Sequence, residues 1–234
     1  MGLSIAVFVP EGIVIACDGL AEIRNLKGDQ GFLHNKQKRL FVYQNRFLIN
    51  IHGSGYFKGM PCAFYVEKIF NKLNDASFSN VSDFSERLNK EMSCLQEDGQ
   101  KLSFYAMGME EDATNNYIPT LILSDNGKIM TINRGMNNNI VYNYHSVGHS
   151  LWLNKMLLPT SFEMENGKKV DFENIDIDFS KYSLDDAIEF SKTLFNISRQ
   201  MDNIAQLKQM VGDILSYGIL NQNNNISIVK EFKV

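Results

Sequence analysis

The sequence predicts an α+β fold, a four-layer αββα sandwich in which two antiparallel sheets face each other between layers of helix. Three observations carry this expectation. Patterned segments follow one another as strands, two helices, strands, two helices and strands. Short turn signals at Pro10-Glu11-Gly12, Gln44-Asn45-Arg46 and Asp125-Asn126-Gly127 join neighbouring strands as antiparallel hairpins. The run Ile13-Val14-Ile15-Ala16-Cys17 is apolar on both faces, as suits a strand covered by protein on each side.

Leu3 to Val9 and Ile13 to Cys17 make the first hairpin, and Arg39 to Tyr43 with Phe47 to Ile51 the second, which ends at His52-Gly53-Ser54-Gly55. From Tyr56 to Leu73 the apolar residues Phe57, Met60, Phe64, Val66, Ile69, Phe70 and Leu73 recur at helical spacing. A second helix follows, with Ser82 placed to cap it and Phe84, Leu88, Met92 and Leu95 along one face. Four strands are expected next: Leu102 to Gly108, Tyr117 to Ser124, Ile129 to Ile132 and Ile140 to Val147.

Gly148 opens a helix through Leu158 that Pro159 ends. The acidic, aromatic stretch 160–181 reads as a surface loop insertion within one domain spanning 1–234. Ser183-Leu184-Asp185-Asp186 is a capping box with aspartate in place of glutamate, and its helix runs to about Asp202. Gly212 to Leu220 and Ile226 to Phe232 close the chain as two strands about an Asn-rich turn.

With 44% hydrophobic and 21% charged residues, the 234-residue chain has the make-up of a globular protein. Its formal charge of −4 offers no attraction to nucleic acid or to an anionic membrane, and no segment has a signal-peptide or membrane-helix pattern. Cys17, Cys62 and Cys94 are odd in number, widely spaced and without histidines at metal-ligand spacing. A reduced cytoplasmic setting with no metal or cofactor is the expectation.

Five segments resemble the proteasome β-type and HslV-like family of N-terminal-nucleophile hydrolases, over nearly the whole chain. They are Ile5-Ala6-Val7-Phe8 with Gly12 to Asp18, Lys38-Arg39-Leu40-Phe41-Val42, His52-Gly53-Ser54-Gly55, Ser146-Val147-Gly148-His149-Ser150, and the helix from Ser183 to Asp202. The chain starts directly at the first strand, which resembles β-type rather than gate-forming α-type subunits.

In that family a mature N-terminal threonine attacks the scissile carbonyl, its own α-amine acts as base, and a lysine with aspartates sets the electrostatics. Matched by the resemblance, the nucleophile position is Gly2, which has no hydroxyl. Arg39 stands at the lysine position, and a guanidinium holds its proton near neutral pH. Asp18 and Asp202 match the aspartates, and Gly53 the glycine whose backbone N–H forms the oxyanion hole. Two small serines of the family appear as His149 and Ala205. Asp18 with Arg39 reads more readily as a structural ion pair, and Gly53 with Gly55 equally as the turn into the helix.

Ser4 shares a strand face with Gly2 and is an alternative nucleophile, displaced by roughly 7 Å from the family register. Cys17 with His52 or His149 suggests a thiol protease only until its place inside an apolar strand is considered, where a cysteine packs as a small hydrophobe. The leading expectation is a non-catalytic, degenerate proteasome-like protein that forms a homo-oligomer or ring. The alternatives are an active peptidase or amidohydrolase acting on peptide or protein, and a small-molecule binding module using the vacated cleft between the sheets.

Overall fold

The computed structural model describes residues 2–22, 33–34, 37–53, 55–57, 60–74, 76–94, 102–111, 116–148, 153, 157, 160–163, 169–172, 177–205 and 211–233. Ten strands build the two sheets: β1 (Leu3–Val9), β2 (Gly12–Asp18), β3 (Leu40–Tyr43), β4 (Phe47–Gly53), β5 (Leu102–Glu111), β6 (Tyr117–Asp125), β7 (Lys128–Thr131), β8 (Tyr144–Gly148), β9 (Ile214–Asn221) and β10 (Ile226–Lys233). The first sheet has the order β8-β1-β2-β9-β10 and the second β7-β6-β5-β4-β3. Every neighbouring pair in them is antiparallel.

Strand periodicity of two sorts the side chains into layers. From β1, Leu3, Ile5, Val7 and Val9 pack outward with Ala187, Leu194 and Phe195 of helix α3 (Leu184–Ile204). Ala6 and Phe8 point the other way, into the core between the sheets, where they meet Ile13, Ile15, Leu48, Tyr105, Met107 and Leu121. The outer face of the second sheet packs against α1 (Cys62–Leu73) and α2 (Val81–Ser93). There Phe84 of α2 stacks on Phe47 with ring centroids 4.5 Å apart and on Tyr43 at 5.2 Å. The four-layer αββα sandwich is thus held by three apolar interfaces, with the sheet-to-sheet core in the middle.

Several local expectations are corrected. α1 starts at Cys62 rather than Tyr56, because Pro61 disfavours helical backbone at the residue before it. Tyr56–Phe57 and Met60–Pro61 instead pair as short strands. The cap of α2 is Asn80, whose Oδ1 accepts from Asp83 N at 2.9 Å, while Ser82 lies inside the helix. β8 begins only at Tyr144; Ile140 makes an isolated bridge with Arg134.

Within the expected 160–181 loop, Thr160–Glu163 and Lys169–Phe172 pair as antiparallel strands and Phe179–Lys181 forms a 3-10 turn. The capping box is as read: Ser183 Oγ accepts from Asp186 N at 3.1 Å, and Ser183 N donates to Asp186 Oδ2 at 2.9 Å. Of the helix expected over 148–158, Gly148 is instead the last residue of β8, its φ of +89° unsuited to a helix start, and of the later residues only Leu153 and Leu157 are described; both are helical and Leu153 is buried. Among the described residues no helix is long and apolar enough to cross a membrane.

Candidate active site

Antiparallel pairing brings the start of β1 beside the end of β2, with Ser4 opposite Cys17. The sheet-to-sheet packing then sets the end of β4 and the entry to β3 against this corner. Gly2, Leu3, Ser4, Asp18, Arg39, His52 and Gly53 consequently line one void of about 10 Å³. Five of the six sequence-predicted site residues meet there. Asp202, buried in the last turn of α3, is not among those lining it.

Asp18 is 2% exposed and fully engaged with backbone donors. Its Oδ2 accepts from Gly212 N at 2.8 Å and Leu3 N at 3.3 Å, and its Oδ1 from Leu20 N at 3.3 Å. Burial pushes the carboxyl up to about 6, against the opposing pull of those N–H groups and of the Arg39 guanidinium.

Arg39 does not form the ion pair with Asp18 that the sequence suggested. Its Nη2 donates to Leu20 O at 2.8 Å and its Nη1 to Ile51 O and Gly53 O, each at 3.4 Å. The guanidinium ties the segment after β2 to the end of β4, and reaches Asp18 only through space. Its planar fork makes this spanning geometry accessible, which a lysine ammonium does not.

Gly2 is crowded. A Cβ placed on it would lie 2.6 Å from Asp18 Oδ1 and 3.3 Å from Leu20 O. Gly53 has φ +98°, backbone that favours glycine, so its identity is needed for the turn itself.

Two residues of this corner were not singled out as a pair by sequence reasoning. Asn50 Nδ2 donates to Arg39 O at 3.4 Å, which turns its Oδ1 toward His52 Nδ1 at 3.1 Å. Nδ1 therefore carries the proton and Nε2 is an acceptor, with no partner among the described residues. Burial, with the Arg39 charge and His145, lowers the His52 pKa to about 3, so the ring is neutral. The His52 ring packs edge-on to Tyr105, whose hydroxyl bonds His145 Nδ1 at 2.5 Å. The clue was available: Leu48, Asn50 and His52 share one strand face, where apolar residues give way to two polar ones.

A void of this size suits one water molecule. Ser4 is 3% exposed in the middle of paired backbone, opposite both Cys17 and Val147. Burial pushes the Cys17 thiol far above its usual range, and its side-chain hydrogen bond is to Asn50. A Cys17–His52 thiol site is therefore not assembled. Ala205 caps the end of α3, and His149 lies outside the described residues.

No protein-family model matches the sequence, and no curated protein matches it. Among solved structures, the Gly-1 mutant of Anbu from Hyphomicrobium sp. strain MC1 matches with a TM-score of 0.59 and 12% identity, over 100% of this chain and 87% of that one. Anbu, described as an ancestral β-subunit, from Yersinia bercovieri matches with a TM-score of 0.62 and 11% identity, over 97% of this chain and 87% of that one. At such identities the likeness is one of fold, and this chain has the sandwich fold that Anbu has.

Proposed function

We propose that this chain is a proteasome β-subunit-like protein without threonine-type peptidase activity, acting as a homo-oligomer in the cytoplasm through one domain spanning 1–234. The observation that supports this most is at Gly2. The position offered for a nucleophile lacks a hydroxyl, and the space a side chain would need is taken by the Asp18 carboxylate, 2.6 Å from a Cβ on Gly2. Arg39 in the lysine position is bonded to three carbonyls and holds a fixed charge rather than a transferable proton. In this reading Asp18, Arg39, Gly53 and Asp202 are kept for the fold, and Ser4 is a buried strand residue.

The purified chain incubated with fluorogenic peptides and a covalent inhibitor directed at N-terminal threonines is expected to show neither turnover nor an adduct. Turnover with a mature N-terminus at Ser4, read by intact mass, would replace this proposal with an active peptidase or amidohydrolase. Light scattering tests the assembly: a monomeric mass at micromolar concentration would remove the homo-oligomer from it.

A further inference from the structure

Among the described residues, a cleft large enough for a ligand lies at the other end of the molecule. Beyond the seven residues of β1, roughly 20 Å from Gly2, the two sheets part around a cleft of about 350 Å³. Phe8 and Ile13, both buried in the sheet-to-sheet core, reach it from inside, and Tyr117 and Tyr142 line it nearer solvent. Its walls are cross-tied before any ligand arrives. Gln222 N donates to Glu11 O at 3.1 Å, and the Gln222 side chain donates to Pro10 O. Asn133 Oδ1 accepts from Leu121 N and its Nδ2 donates to Pro119 O, both at 2.9 Å.

We propose that this cleft binds a neutral ring compound edged with hydrogen-bonding groups, of the nucleoside or monosaccharide kind. Among the described residues, no Asp, Glu, Lys, Arg or His lines it, although 21% of the chain is charged. Glu11, the nearest acid in sequence, is turned away to accept from Leu184 N at 2.9 Å. A charged ligand entering here would shed water without meeting a counter-ion. Of the lining residues, Tyr117 is 66% exposed and Ile140 40%, an apolar rim of the sort that ligand sites present. Tyrosine hydroxyls and the Asn223 amide supply uncharged donors and acceptors for the polar edge of a ring. The volume suits a molecule of one to three rings.

Ligand-observed NMR on the full chain tests this with adenosine and glucose, each beside a phosphorylated counterpart as the charged control. At least one neutral probe should saturate in the millimolar range or below, with its counterpart weaker by about tenfold or more. Tyr117→Ala should weaken binding about fivefold or more, and Tyr117→Phe, which keeps the ring and loses only the hydroxyl, by less. Which neutral probe binds identifies the source, base or sugar. Saturation by neither, equal binding of a phosphorylated counterpart, or indifference to Tyr117→Ala would overturn the proposal. None of these measurements touches the Gly2 end, so their failure leaves the peptidase reading where it stands.

Discussion

Asp18 occupies the space into which a side chain on residue 2 would grow: its Oδ1 lies 2.6 Å from the Cβ position of Gly2, with Leu20 O at 3.3 Å behind it. The carboxylate has little freedom to withdraw, because three backbone N–H groups from three separate segments hold it. Glycine at position 2 and aspartate at position 18 are therefore mutually fitted.

Placing a threonine at position 2 should fail on these grounds. Gly2→Thr is expected to cost about 1–3 kcal/mol by overpacking and to gain no peptidase activity. Chemical denaturation measures the first, and peptide turnover with an inhibitor adduct by mass measures the second. A variant as stable as the parent that also formed the adduct would show that the corner opens more readily than its hydrogen bonds imply.

Asp18 and His52 should impose opposite pH dependences on stability. The folded-state pKa of Asp18 is raised to about 6 from 3.8, so its contribution is full below about 4 and is lost as pH rises through 6. That loss amounts to at most about 3 kcal/mol. His52 is lowered to about 3 from 6.5, so its contribution is full above about 6.5 and is lost as pH falls toward 3. Urea unfolding of Asp18→Asn and His52→Gln between pH 4 and 7 should unmask the two slopes, each variant showing the trend of the residue it retains. Parallel pH profiles for both variants and the parent would contradict the assignment.

His52 should stay neutral with its proton on Nδ1 from pH 5 to 8. Its ring ¹⁵N shifts are expected to be those of one fixed tautomer and not to titrate. Asn50→Ala, which removes the acceptor at 3.1 Å, should let the tautomers mix.

Arg39→Lys is expected to destabilise by about 1–3 kcal/mol, because an ammonium cannot reach the carbonyls of Leu20, Ile51 and Gly53 together. It should not raise peptide hydrolysis. Thermal melts and the fluorogenic assay on the same preparation check both halves.

Thiol labelling should single out Cys94. Cys17 and Cys62 are buried, and burial lifts Cys62 to about 12, whereas Cys94 is exposed. Iodoacetamide on the native chain should give one adduct by intact mass; two or more would show the strands around Cys17 or the start of α1 opening under native conditions.

Much of the architecture was readable because it rests on local patterns. Alternation along β1, the Asp125-Asn126-Gly127 turn with positive φ at Asn126 and Gly127, and the Ser183 capping box depend on neighbours in sequence. The start of α1 is not legible from spacing, because apolar residues continue at helical intervals back past Pro61, while the proline's backbone restriction ends the helix there. Serine is a good capping residue, which points to Ser82, and only the helix geometry places the cap two residues earlier, at Asn80.

By itself the sequence determined the order of the strands and helices that build the two sheets and their covering layers, the absence of a hydroxyl at Gly2 and the fixed positive charge of Arg39. Those are properties of residue type and spacing. Tertiary structure alone decided that Asp18 and Arg39 each bond backbone rather than one another, that Asn50 fixes the His52 tautomer, and that the corner holds about 10 Å³ while the far cleft holds about 350 Å³. Each of these depends on how closely two sheets approach and where distant carbonyls fall, which is set by long-range packing and is not encoded in any short stretch of chain.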